Sequence, residues 1–224
     1  MRQAVIADHP AWSAELIVAL TRDLPGEEAE EYRRIPWLWR VAIAAGKRPD
    51  PAEWKAIVRV SLPAPGEPLR HWQAVVVGGG LVNGISQQGL WPAEQFTALL
   101  QQDEALTARW QAVLASSAIM ADDGRVPPGT RYDALRILAL EGWDRRGAQL
   151  ARYLARDAHP ELQMGAVSGL SDIEAPAAAT TLLAALPQLT EPNRRLAIAA
   201  LCRTPGGANC CSKRWTRSAS NRHG

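Results

Sequence analysis

An apolar run that enters a glycine cluster, Ala74-Val-Val-Val-Gly-Gly-Gly-Leu-Val-Asn-Gly84, is the segment most like a ligand site. At the strand-to-loop entry of a dinucleotide-binding unit, such glycines let the backbone approach a pyrophosphate at a helix N-terminus. The spacing does not fit. G-x-G-x-x-G requires a glycine where Asn83 stands, counting from Gly78. No βαβ pattern surrounds the run, and the acids further on, Asp103 and Glu104, already belong to a segment of helical periodicity. The run reads as tight helix packing or a helix break, in preference to a nucleotide-dependent enzyme.

Nine tryptophans are many for 224 residues, and Trp37, Trp39, Trp54, Trp72, Trp91 and Trp110 fall in the first half. On a concave helical surface they would stack on nucleobases or hold a peptide; set among Ala, Val and Leu they read as core. His9, His71, His159 and His223 are scattered without metal-like spacing, and His9 and His159 precede prolines, which suits a turn. Asp122-Asp123-Gly124 lacks the remaining ligands of a calcium loop and reads as a capping loop. Ser116-Ser117 lie in a helical stretch, and no G-x-S-x-G occurs. Cys202, Cys210 and Cys211 have no metal-site spacing. Arg145-Arg146 and Arg194-Arg195 sit near helix starts, where arginine opposes the dipole, so they face solvent or a partner's carboxylate. No catalytic, cofactor-binding or metal-ligating residue is expected.

The elements that position these residues read as helices. Hydrophobic residues make up 47% of the chain, enough for a sizeable core. The apolar runs are Ala- and Leu-rich and interrupted by Arg, Glu and Gln at helical spacing. The longest apolar run, Ala74 to Ile85, contains four glycines and an asparagine, so no bilayer span is expected. The first ten residues lack a signal-peptide core. The formal charge of +2 is carried by the tail. Taking Lys213, Arg214, Arg217 and Arg222 from the 25 basic residues leaves 21 against 23 acidic ones, or −2, for residues 1–205. That balance gives no global reason to expect nucleic acid or an anionic membrane.

Pro128, Pro160 and Pro192 stand 32 residues apart, each before a helical pattern, as proline suits a first helical turn. After them come Ala134 and Leu138, Ala166 and Leu170, Ala197 and Leu201, the same small-then-large pair on one helical face. Each unit has a second half, Arg145 to Asp157 and Pro176 to Leu189, after short breaks in which Asp144 or Asp172 would cap a helix. Earlier the period loosens: Asp8-His9-Pro10 before Leu16 and Leu20 resembles Ala158-His159-Pro160 before Leu170. Further helices are expected over Pro36 to Ala45, Pro51 to Ser61, Leu69 to Val77, Pro92 to Leu100 and Glu104 to Ala121. The expected fold is all-α, a right-handed α-solenoid of antiparallel helix pairs over residues 1–205, most regular over 128–205.

Ile35-Pro-Trp-Leu-Trp-Arg-Val-Ala-Ile-Ala-Ala-Gly46, Gly129-Thr-Arg-Tyr-Asp-Ala-Leu-Arg136, Gly147-Ala-Gln-Leu-Ala-Arg-Tyr-Leu154 and Glu161-Leu-Gln-Met-Gly-Ala-Val-Ser-Gly-Leu170 resemble a known family. It is the HEAT or armadillo-like repeat region of planctomycete-type c-type haem-binding, membrane-bound dehydrogenase-like proteins. The resemblance covers most of residues 9–205. It implies a spacer and docking part of a larger redox protein, periplasmic or in the cell envelope, whose partners are proteins or neighbouring domains of the same polypeptide. The family's haem attachment motif, C-x-x-C-H, is absent; Cys210-Cys211-Ser-Lys lacks both spacing and histidine, so no haem ligand is carried over.

Residues 206–224 abandon the pattern where the next helix is due. Read two bases on, the codons of Asn209-Cys-Cys211 yield Leu-Leu whichever are used, and those of Trp215-Thr216 yield Asp. The tail reads as a frameshifted or a disordered basic segment. An apolar face is expected to be exposed at that end, with fraying or aggregation. The functional expectation is a non-catalytic scaffold or protein-interaction segment without cofactors; the alternative is a nucleic-acid-binding or base-processing helical-repeat protein.

Overall fold

Helices alone make up the regular structure of the chain in a computed structural model that describes residues 12–22, 28–63, 67, 70, 72–101 and 103–203. In chain order the α-helices are α1 (Ser13–Thr21), α2 (Glu28–Gly46), α3 (Pro51–Ser61), α4 (Val77–Gln87), α5 (Pro92–Leu100), α6 (Glu104–Asp122), α7 (Pro128–Leu138), α8 (Trp143–Arg152), α9 (Pro160–Ser171), α10 (Pro176–Ala185) and α11 (Glu191–Arg203). The fold is all-α. No helix among the described residues is long and apolar enough to cross a membrane. His9, Pro10, His71, the proline-rich break around residue 65, and the whole tail 206–224 lie outside the described residues.

The helix starts follow local chemistry. Proline opens α3, α5, α7, α9 and α10, where its missing N–H would have had no partner. Asp50 caps α3, accepting from the amides of Ala52 and Glu53, and Asp103 caps α6, accepting from Leu106. His159 caps α9 through Nδ1, the turn role its place before a proline suggests. Asp144 and Asp172 do not cap: α8 begins after Gly142, whose φ of +79° and ψ of 178° are open to glycine almost alone, and Asp172 ends α9 as a buried ion-pair partner.

Helices α2, α4, α7, α9 and α11 form a row in which each packs on the next, and the intervening helices pack against its members. The first three members meet at glycines. A π-helical turn, Trp72–Val76, leads directly into α4, so the glycine run is the interior of a helix and not its end. A Cβ at Gly78 would lie 2.7 Å from the Trp110 ring of α6, at Gly79 2.5 Å from Asp133 of α7, and at Gly80 2.8 Å from the Trp39 carbonyl of α2. Three neighbouring helices thus approach one glycine-faced rod. The weak helix propensity of glycine is overridden by packing. Other bounds move as well: α2 begins well before Pro36, α4 runs on to Gln87, α8 ends at Arg152 short of Asp157, and α10 gives way to a 3₁₀ turn, Leu186–Gln188.

In the later row the repeated residues do the same work. Ala134, Leu138, Ala166, Leu170, Ala197 and Leu201 are all buried. Soon after each opening proline a side chain grips carbonyls at or just past the end of the preceding helix, where the intrahelical ladder runs out. Arg131 donates to the Ala121 oxygen (2.8 Å), Gln163 to that of Ala155 (3.0 Å), and Arg194 to those of Leu186 (2.9 Å) and Leu189 (3.0 Å). Side-chain hydrogen bonds recur at one sequence separation: Gln149 to Ala118 (31 residues), Arg152 to Asp122 (30), Tyr153 to Ala121 (32), Arg156 to Pro187 (31), and Asn193 to Gln163 (30) and to Pro160 (33).

Polar groups run through the row. Trp39 donates from its indole to Asp133 Oδ1 (3.1 Å), tying α2 to α7. Arg136 pairs with Asp172 (2.9 Å), which also accepts from Ser86 of α4 (2.5 Å). Burial raises the Asp133 carboxyl well above the ordinary range, against the pull of the Trp39 N–H and the Arg136 charge. A carboxyl raised in the folded state favours folding in acid. Its contribution is full below the unfolded pKa of about 4 and is lost as pH rises through the folded value. Asp133→Asn keeps an oxygen for Trp39 and cannot ionise. The stability of the native protein minus that of Asp133→Asn, from urea unfolding at a series of pH values, is therefore expected to fall as pH rises above about 4. A difference that stayed flat or rose would contradict a buried, raised carboxyl.

Candidate docking groove

The end of α6, the loop after it and the outer face of α8 enclose an open groove of about 850 Å³. It is lined by the apolar Ala118, Ile119 and Ala148 and by Arg125, Arg145, Arg146 and Arg152 with Asp122, Asp123 and Gln149. Ile119 is 74% exposed, the most exposed large hydrophobic side chain among the described residues.

Local chemistry builds each wall. Helix α6 ends where Asp123 turns the chain: its carboxylate accepts from the Arg125 amide (2.9 Å) and guanidinium (2.8 Å), and Val126 tucks into the core. The Arg125 side chain, then its amide, holds the Asp123 carboxyl down at about 2. This is the capping loop expected of Asp122-Asp123-Gly124. Helix α8 is latched across by Tyr153, whose hydroxyl lies 2.7 Å from the Ala121 oxygen and 2.5 Å from Asp122 and shares its one proton between them. Gln149 donates to the Ala118 oxygen (2.8 Å), and Arg152 to Asp122 (2.8 Å). Burial pushes the Asp122 carboxyl up, but the hydrogen bonds from Tyr153 and Arg152 outweigh it and hold it below the ordinary range. Arg145 (3.0 Å) and Arg146 share Glu141, so the carboxylate that receives this arginine pair belongs to the same chain.

The other residues singled out by type do not gather here. Trp54 and Trp110 are core, Trp39 serves Asp133, and Trp12 is exposed just before α1. Ser117 is buried and donates to the Val113 oxygen, and the glycine run is in the helix row. Arg194 grips carbonyls, and Arg195 pairs with Glu191. Leu196 and Ile198 of α11 are exposed apolar side chains toward the C-terminal end of the described row. Among the described residues there is no group of three His, Cys, Asp or Glu side chains placed to hold a metal ion. The groove itself carries no motif; its signal is the separation of 30 to 32 residues between its facing side chains.

The chain matches no model of a known protein family, no curated protein and no solved structure.

Proposed function

We propose that this chain is a scaffold segment: a right-handed α-solenoid of antiparallel helix pairs, HEAT- or armadillo-like, that docks protein partners or neighbouring domains of a larger redox protein. One observation carries the reading. Side-chain hydrogen bonds that join residues 30 to 33 apart, the six described above between residues 118 and 193, are what a stack produces when one displacement relates each unit to the next. Such stacks present long surfaces on which the helices' outer faces meet partners. The larger redox protein is an expectation from the family resemblance of segments such as Gly129–Arg136 and Glu161–Leu170.

The test of the scaffold reading is a titration of the full chain into labelled thirty-base single-stranded and duplex DNA and RNA at low and physiological salt. No saturable binding is expected. Micromolar binding that weakens steeply with salt would replace the scaffold with the nucleic-acid reading. Sequencing the encoding DNA through and beyond codon 205 tests the larger protein: a second frame that continues the proline-spaced helices and reaches C-x-x-C-H is expected, and its absence removes the haem assignment.

A further inference from the structure

We propose that the groove between α6 and α8 binds an acidic peptide segment in which two carboxylates flank one aliphatic side chain, a proposal that deepens the docking reading and rests on it. The apolar part is fixed by Ile119, which is 74% exposed and lines the groove together with Ala118 and Ala148. An aliphatic partner side chain there removes apolar surface from water on both sides. The charged part is fixed by arginine. The Arg125, Arg145 and Arg152 side chains are 92%, 67% and 64% exposed, and each spends only part of its donor fork on a carboxylate of this chain. Arg146 keeps Glu141 served when Arg145 turns away, and the Arg125 and Arg152 guanidiniums keep N–H groups in solvent, so an incoming carboxylate shares these side chains without displacing their partners.

Arg145 and Arg152 stand seven residues apart on α8, two helical turns and so about 10 Å on one face. That sets the spacing of the partner's two acids, with its aliphatic residue over Ile119 between them. The same geometry disfavours a nucleic acid. Asp122 and Asp123 line the groove and Glu141 pairs with Arg145, so the arginines do not form the uninterrupted basic surface that a phosphate backbone follows. No aromatic ring lines the groove for a base to stack on.

The experiment is a selection of a random twelve-residue peptide library, displayed on phage, against the full chain. Selected peptides are then titrated by fluorescence anisotropy into the native protein, Ile119→Asp, Arg145→Gln/Arg152→Gln and, as a distant control, Arg195→Gln. The altered side chains are exposed, so the variants retain the helical circular dichroism of the parent. The expected result is enrichment of acidic sequences with an aliphatic residue between the acids. Binding should weaken about tenfold or more in the two groove variants and stay unchanged in the control. Peptides that bind all four proteins equally would overturn the groove and leave the docking reading standing. Enrichment of basic or neutral peptides, or of none, would also overturn the groove. Labelled DNA or RNA that binds the native protein and loses affinity in Arg145→Gln/Arg152→Gln would overturn the groove's assignment and the docking reading together.

Discussion

Gly84→Ala is expected to lower the stability of the protein by about 3 kcal/mol, the upper end of the cost of overpacking. In an exposed helix the same change would raise stability by about 1 kcal/mol. The sign is therefore decisive. Gly84 of α4 faces Gly46 at the end of α2, and a Cβ on Gly84 would lie 2.7 Å from the Gly46 Cα and closer still to the Ile43 oxygen. A Cβ on Gly46 would in turn sit 2.5 Å from the Leu81 oxygen. Every atom named is backbone, so no rotamer change relieves the clash and the two helices must part. Gly124→Ala is the control, since nothing lies within 4 Å of a Cβ there, and it is expected to stay within about 0.5 kcal/mol. Urea unfolding of the three proteins decides it. If Gly84→Ala matched the control, the helices would not touch through these glycines.

The second large effect is expected at the ion pair between Arg136 and Asp172, whose side chains are 4% and 1% exposed. Asp172→Leu leaves a guanidinium buried without its counter-charge and is expected to cost about 3–5 kcal/mol. Adding Arg136→Met removes that stranded charge and is expected to restore about half the loss or more, because two apolar side chains replace a pair whose burial was itself costly. The pair is incompletely served: Arg136 Nε has no hydrogen-bond partner among the described residues. A double-mutant cycle of unfolding free energies is the measurement. Additive losses in the double variant would mean that the two side chains do not interact in solution.

Much of the helical framework was legible because it rests on local chemistry. Pro51 to Ser61 and Pro92 to Leu100 are bounded by prolines and caps that act within a few residues, and both helices run as expected. Pro36 misled because a proline also fits inside a helix when it lies on the exposed side, as it does in α2. The glycines at 78–80 and 84 left open a choice that local propensity cannot make. Only the arrival of Trp110, Asp133, Trp39 and Gly46 around them selects helix. Asp172 looked like a cap because it follows a helical run at a break, and nothing nearby signals that its partner is Arg136, 36 residues back. The groove was visible in pieces, as an acidic turn at residues 122–124 and a pair of arginines at 145–146. Joining them required the repeat period to be applied to polar residues as well as to proline, alanine and leucine.

The grip that Arg131, Gln163 and Arg194 each take on the end of the helix just before them bears on how the chain comes off the ribosome. In every case the carbonyls to be held have been synthesised before the residue that holds them. Each inner helix also meets its next inner neighbour no more than three helices later. A nascent chain of this design closes most of its helix contacts soon after each helix emerges, and only single polar groups such as Trp39 and Ser86 wait longer, for Asp133 and Asp172.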